Sequence, residues 1–472
     1  MYFVAMMAIT LCSIGITYNM LGGLSRVSGF MFAGMAAQRI VISQFAKVLL
    51  FEPADHNLLV PNLTITVYAV FFLSLMVGVF VFAGARLRLP RPWEPMTGSQ
   101  ARLLYFVSLI VGVIASAVFY IDEFGTVQDQ TTTGHSIGLA FSGLLLFSIV
   151  LAVDDRIRRT GGRHSLGMGM IVSSLVLAFF SFIATSRTGA IEPVAIYFLA
   201  CYVRGYRLRK RHFIAGAICV VLFQILISPF ALYSRGLMAG LSFQQRLAKG
   251  RELLDSPPSW STLQFTQLSA QMQSGRDEYY SAPGTFVLSR LSLIRADSNL
   301  IAACANGFHY GFGPLKTDLL RNIPRFLYRN KPVMPSAFYI EGVIGSDKDK
   351  PGFWSYSSIA DAFGAFGWIG VVMFPLFVLP AVFVVYDSMF DMTRPWGTVA
   401  VVIAALSGGA TMSNTLVLLT KTPLSLWMLS VLTVGISRVV TGSGERRGSA
   451  RRLGSRNNSD TVPRFPPAGS LS

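Results

Sequence analysis

Residues 61–91 read PNLTITVYAVFFLSLMVGVFVFAGARLRLPR. From Pro61 to Ala85 there is no charged side chain, and Arg86, Arg88 and Arg91 follow at once. As a helix rising 1.5 Å per residue, the uncharged run would reach about 37 Å, more than the roughly 30 Å hydrocarbon core of a bilayer. A short basic segment beside a span stays in the cytoplasm. This one stretch therefore supplies both a membrane span and its orientation.

The pattern repeats along the chain. Comparable apolar runs lie at 1–24, 103–121, 136–153, 166–186, 188–203, 213–234, 357–386, 396–415 and 421–437. Residues 28–51 form a further candidate interrupted by Arg39 and Lys47, either a span with those groups near its ends or facing protein, or an interfacial or re-entrant helix. The fold class is all-α: a polytopic transmembrane bundle of about 10–12 spans. Charged residues make up 13% of the 472, against about 25% in soluble domains, so no soluble surface can be covered. The net charge of +17 does not point to nucleic acid, because the basic residues sit in short connections and no basic soluble domain carries them.

Those connections alternate. Segments 86–102, 154–165 and 204–212 are rich in Arg, whereas 122–135 has no Lys or Arg. Basic segments and the Arg-rich tail are expected in the cytoplasm, with 52–60, 122–135, 186–189 and 235–355 outside. The organisation is then an N-terminal bundle over 1–234, a large outer loop over 235–355, C-terminal spans over 356–437 and a basic, disordered cytoplasmic tail over 438–472. Residues 1–25 have no basic lead and no convincing cleavage site, so they read as a retained span rather than a signal peptide. The cysteines Cys12, Cys201, Cys219 and Cys304 include only one in the outer loop, so no disulfide is expected there.

The loop 235–355 is too long for a connector and carries aromatic residues throughout, among them Trp260, Tyr279 and Tyr310. Leu288, Leu291, Ile294 and Ile301 recur at helical spacing, so several short helices over the membrane mouth are expected. It holds 14 Lys and Arg against 9 Asp and Glu. Arg321, Arg325, Arg329 and Lys331 form a cluster without an acid among them, and a helix would stack the three arginines on one face. Pro324 disturbs a helix running on from 321 but suits the first turn of a new one. Guanidinium groups grip phosphate bidentately, although lipid headgroup contact is the ordinary alternative.

Ser186-Arg187-Thr188-Gly189 is a tight turn between two spans and holds Arg187 at the membrane surface, where a charge is a functional candidate. A salt bridge to Glu192 is the plainer reading. In Asn306-Gly-Phe-His309-Tyr-Gly-Phe-Gly313, glycines allow close backbone approach beside His309 and aromatic rings. Asp361 stands in Asp361-Ala-Phe-Gly-Ala-Phe-Gly-Trp-Ile-Gly370, where the chain returns to the bilayer. No His-x-x-x-His spacing and no Walker sequence is found, so neither a metal nor a nucleotide cofactor is expected. A donor used outside the membrane must arrive already activated, as a lipid-linked pyrophosphate.

The chain resembles the Wzy-type O-antigen polymerases, or oligosaccharide repeat unit polymerases. The likeness rests on Ser186-Arg187-Thr188-Gly189, on Ile323-Pro-Arg-Phe-Leu-Tyr-Arg329-Asn-Lys-Pro332, on the 361–370 motif and on the topology. An Arg-x10-Gly pattern of some members is absent from the loop. The resemblance implies a bacterial inner-membrane enzyme joining undecaprenyl-diphosphate-linked glycans on the periplasmic side, with inversion and without metal. A chain-length regulator protein is an implied partner. Arg187, Arg325 and Arg329 would hold the diphosphate, with Arg290, Arg295, Arg321 and Lys331 in support. The base lies among Glu341, Asp297, His309 and Asp361, with Glu341 placed first. An O-antigen ligase is the nearest alternative, kept open by His309. A polysaccharide flippase fits the long loop less well, and a membrane O-acyltransferase would want a His inside a span.

Overall fold

The computed structural model describes residues 1–49, 51–56, 58–93, 98–125, 133–184, 187–222, 228–238, 241–259, 261–262, 294–307, 309–323, 328, 356–407 and 411–448. Among the described residues every regular element is a helix. Helix α1 (Tyr2–Met20) packs along α4 (Pro61–Val81). Between them α2 (Val27–Ala36) runs through a π-turn (Ala37–Val41) into α3 (Ile42–Leu49). Then come α5 (Gly98–Gly125), α6 (Thr133–Arg159), α7 (Met168–Ile183), α8 (Arg187–Val203) and α9 (Lys210–Leu222). Helices α10 (Ser228–Met238), α11 (Phe243–Asp255), α12 (Ile294–Ala305) and α13 (Gly313–Asn322) follow. The chain closes with α14 (Ser358–Met373), a π-turn (Phe374–Val378), α15 (Leu379–Met389), α16 (Pro395–Ser407), α17 (Met412–Leu419) and α18 (Lys421–Gly448).

Among the described residues, five stretches are long and apolar enough to cross a membrane: Tyr2–Met20, Pro61–Val81, Gln100–Ile121, Ser358–Met389 and Asn414–Ile436. Helix α4 shows how such a segment satisfies itself. Pro61 at its first turn gives up a donor that no helix would use. Thr64 and Thr66 turn their hydroxyls back to the carbonyls of Val60 and Asn62, at 2.8 and 2.6 Å. Its buried face, including Phe71 and Phe72, meets Phe32 of α2, and Phe32 in turn meets Phe383 of α15 edge to face at 6.4 Å. These rings join the first and last thirds of the chain in one apolar core.

The sequence expectation for 28–51 resolves toward protein. The path from Val27 to Leu49 is helical throughout, and Arg39 and Lys47 are both buried. The described parts of the run 213–234 lie in α9 and α10, and residues 223–227 between them lie outside the described residues. Two expected spans differ. The run 396–415 is divided, since α16 ends at Ser407 and α17 starts only after Thr411, whose hydroxyl accepts the Asn414 N–H at 3.2 Å. A threonine that caps a new helix competes with continuation of the old one. Helix α18 runs past 437 to Gly448. Its first 11 residues beyond 437 therefore belong to the segment expected to be a disordered tail, whose remainder, 449–472, lies outside the described residues.

The basic connections gather at one end of the bundle. Asp154, at the end of α6, is paired with Arg204 at 2.7 Å and Arg158 at 3.0 Å. Arg204 also donates to the Thr393 carbonyl, and the Leu87 N–H donates to Ser388. The other end of the bundle carries helices of the 235–355 segment. Arg246 of α11 donates to the Ile183 carbonyl at the end of α7, at 3.3 Å. Ser298 of α12 meets Thr64 at the start of α4, at 3.0 Å.

Where α4 crosses the π-turn at 374–378, the backbones nearly touch. A Cβ on Gly78 would stand 2.4 Å from the Leu376 carbonyl oxygen. Gly15 of α1 has open space around it. Gly78→Ala should therefore destabilise the detergent-solubilised protein by about 1–3 kcal/mol despite alanine's better helix propensity. Gly15→Ala should be neutral or slightly stabilising. Thermal unfolding of the two variants side by side checks this, and equal melting temperatures would show that the crossing tolerates a methyl group.

Candidate functional site

Two motifs far apart in sequence, 306–313 and 361–370, meet in the structure. Their meeting follows from a break in α14. At Gly367 the backbone takes φ 59° and ψ −142°, which no helix contains and which a side chain would strain. The break removes the acceptance that the carbonyls of Gly364 and Ala365 would otherwise find from residues 368 and 369. The loop supplies replacements: the N–H groups of Tyr310 and Gly311 donate to those two carbonyls, each at 3.1 Å. Gly364 leaves room for the Tyr310 ring, since a Cβ there would stand 2.5 Å from it. His309 lies over Gly367 and meets Phe363 edge to face at 6.0 Å, and its side chain is exposed.

Asp361 anchors this docking. Its carboxylate accepts a short hydrogen bond from the Tyr310 hydroxyl and, at 2.8 Å, the N–H of Met412 at the first turn of α17. It is buried and so ties the loop, the mouth of α14 and the start of α17 together. The same groups make Asp361 a positioning carboxylate. Tyr310 is half-buried beside it, and desolvation of its hydroxyl, with the Asp361 charge next, pushes the phenol well above its ordinary range.

A second carboxylate meets Ser357, one turn before Asp361. Asp297 of α12 has no exposed surface. One oxygen accepts the Ser357 N–H at 2.8 Å, and the other accepts short hydrogen bonds from the hydroxyls of Ser357 and Tyr68. Ser357 is also the cap of α14, its oxygen accepting from Ile359 and Ala360 at 3.1 and 3.2 Å. The Arg39 guanidinium stands within electrostatic reach of Asp297 and donates to the Tyr356 carbonyl at 3.3 Å. Burial pushes the Asp297 carboxyl up, and Arg39, Ser357 and Tyr68 offset part of that rise. Enclosed on all sides, Asp297 is out of reach of an acceptor arriving from water, which removes it from the candidates for the base.

Arg295, expected at the ligand, is buried and within reach of the Lys47 ammonium, which donates to the carbonyls of Ala54 and His56 at 2.7 and 2.9 Å. Arg187 is the first residue of α8, whose other end leads into Arg204 among the basic connections. Its backbone therefore lies at the same end of the bundle as α11 and α12. Arg321 belongs to α13, but the chain leaves that helix at Ile323, which is extended at ψ 133°. A residue before proline resists the helical region. A single helical face carrying Arg321, Arg325 and Arg329 is therefore not formed. Arg325, Arg329, Lys331, Glu341 and Arg290 lie outside the described residues.

No family model, no curated protein and no solved structure matches the chain.

A cavity of about 410 Å³ opens among α5–α8 and the last three helices, walled by Phe119, Tyr120, Phe180 and Leu426, with Glu192 and Lys421 facing it. It joins a largely apolar wall to two charged groups. Tyr68 and Ser357 escaped the sequence reading, since neither stands in a recognisable motif, whereas Tyr310 stood in the 306–313 motif without an assigned role. Arg39 did carry a signal, a charge inside an apolar run.

The raised Asp297 carboxyl has a consequence for stability. The native chain keeps this proton to a higher pH than the unfolded chain, which releases it near the ordinary value of about 3.9. Across that window the unfolded state binds fewer protons, so stability falls as pH rises. Asp297→Asn should remove this part of the pH dependence of thermal unfolding. Asp297→Ala should cost about 3–5 kcal/mol, because Arg39 loses its counter-charge. An unchanged pH profile in Asp297→Asn would show that Asp297 does not titrate there.

Proposed function

We propose that the chain is a multi-pass enzyme of the bacterial inner membrane that polymerises undecaprenyl-diphosphate-linked oligosaccharide repeat units into a surface polysaccharide. The reaction takes place on the periplasmic side, with 235–355 outside and the C-terminus in the cytoplasm. The observation that carries this reading is the docking of His309-Tyr310-Gly311 onto the broken helix α14, at the end of the bundle where α8 begins with Arg187. The basic connections lie at the opposite end, which agrees with a cytoplasmic assignment for them.

In the reaction, a hydroxyl of the incoming repeat unit attacks the anomeric carbon of the growing chain. The bond from that carbon to the diphosphate oxygen breaks with inversion, and undecaprenyl diphosphate leaves. The hydroxyl proton passes to a base, for which Glu341 and the exposed His309 are the candidates. Arg187, Arg325 and Arg329 neutralise the charge that develops on the diphosphate. Asp361 and Tyr310 hold the loop over the membrane mouth. The largely apolar cavity beside Glu192 suits the prenyl tail.

Exposure of His309 also favours a second reading, transfer of a finished glycan to another lipid acceptor, as in O-antigen ligases. A glycan gel from a complemented deletion strain separates the two. Arg187→Ala and Arg325→Ala should each abolish long-chain glycan while single-repeat product persists. Loss of the single repeat as well, in these variants and in His309→Ala, would favour the ligase. Normal chain length in both arginine variants would overturn the proposed chemistry.

A further inference from the structure

A second cavity, of about 460 Å³, lies at the end of the bundle opposite the docked loop. Helix α4 separates the two places. Thr64 in its first turn meets Ser298 of α12, and Val79 near its other end lines the cavity, about 22 Å away along the helix. After α4 the chain turns at Gly84 and runs without helix across the cavity mouth, where the Leu87 N–H is pinned by Ser388 at 3.1 Å.

Three guanidinium groups and two carboxylates line this space: Arg26, Arg86, Arg91, Asp387 and Asp391. The carboxylates are occupied by their own neighbours. Asp387 accepts the N–H and hydroxyl of Ser28 at 2.9 and 2.7 Å. Asp391 accepts the N–H and hydroxyl of Thr393 at 2.9 and 2.7 Å and stands 3.6 Å from Arg394. Arg26 and Arg91 feel Asp387 and Asp391 only through space. Among the described residues, none of the three lining arginines makes an ion pair within 4.0 Å. Arg26, Arg86 and Arg91 are all exposed. The inner wall is apolar, formed by Leu21, Val79, Pro380 and Phe383.

We propose that this cavity binds a phosphate-bearing anion, with Arg26, Arg86 and Arg91 gripping the phosphate, and that its ordinary source is the headgroup of an anionic membrane phospholipid. Three forked donors line an opening whose acids already hold their own partners, and guanidinium groups are suited to gripping phosphate. The apolar wall lies where an acyl chain would continue from such a headgroup, and basic pockets between spans on the cytoplasmic side bind anionic lipid headgroups. The site is independent of the glycan chemistry at the other end of the molecule.

Native mass spectrometry of the full chain in detergent tests it, with phosphatidylglycerol, phosphatidylcholine and inorganic phosphate as separate probes. Wild type should retain phosphatidylglycerol in preference to phosphatidylcholine. Arg86→Ala/Arg91→Ala should reduce that occupancy at least about tenfold, the factor that 1.4 kcal/mol carries, and Arg86→Lys/Arg91→Lys should restore part of it. Retention of inorganic phosphate that competes with the lipid would support the shared chemistry. Phosphate bound without lipid retention would assign the site to a free anion and overturn the lipid source. Equal phosphatidylglycerol occupancy in wild type and the double alanine variant would overturn the proposal. Should the double variant not be monodisperse, wild type alone decides. Adducts should be lost at about 1 M salt, where screening acts over about 3 Å, and adducts that survive there count against these exposed arginines.

Discussion

A carboxylate without exposed surface persists in a protein only where donors and positive charge replace the water it has lost. Asp297 meets that condition through three separate segments: Tyr68 from α4, Ser357 from the cap of α14, and the charge of Arg39 from the π-turn between α2 and α3. Loss of Tyr68 or Ser357 would leave a carboxylate oxygen short of a donor, and loss of Arg39 would remove the positive charge opposite it. The network therefore fixes where α12 sits on the bundle, although α12 belongs to a segment that covers the bundle's end rather than crossing it. The loop motif 306–313, which leaves α12 directly, inherits its position from this network.

The broken helix makes the second half of the same argument. A continuous α14 would keep its carbonyls for itself and offer the loop only side chains. With Gly367 out of helical geometry, the acceptors of Gly364 and Ala365 turn to Tyr310 and Gly311, and the loop is held by backbone hydrogen bonds as well as by Asp361. Backbone pairing fixes register more tightly than side-chain packing does, so His309 is presented at a defined place above the break. The sequence 361–370 thus has two tasks, to start a membrane helix and to interrupt it.

Much of this was legible before the structure, and the limits have physical causes. The run 61–85 declares a span because a long uncharged stretch has few other stable environments, and Pro61–Val81 is that helix. Likewise 1–24, 103–121 and 357–386 correspond to helices long enough to cross. The run 396–415 misled because hydropathy counts residues and does not see that Thr411 caps a fresh helix. The spacing of Arg321, Arg325 and Arg329 suggested one face, but Ile323 before Pro324 ends the helix between them. Both docking motifs were visible as glycine-rich, aromatic stretches. Their contact was not, because nothing in one sequence reports pairing across about 50 residues when the partners are backbone groups. Tyr68 was hidden for the opposite reason: within an apolar run a tyrosine looks like any other core aromatic until its hydroxyl finds Asp297.

The charge distribution explains why the two ends of α4 have different chemistry. At the end carrying α12, the buried cations Arg39, Lys47 and Arg295 are drawn into the protein, where Asp297 and backbone carbonyls balance them. At the other end Asp154 gathers Arg158 and Arg204, while Arg26, Arg86 and Arg91 stay exposed around an open cavity. Buried charges of the first kind hold their elements in one geometry, since separating them would strand an ion in an apolar interior. Exposed arginines of the second kind lose little by exchanging water for a phosphate oxygen. One end of the bundle is therefore built for a fixed arrangement of loop and helix, and the other for exchangeable contact with anions at the membrane surface.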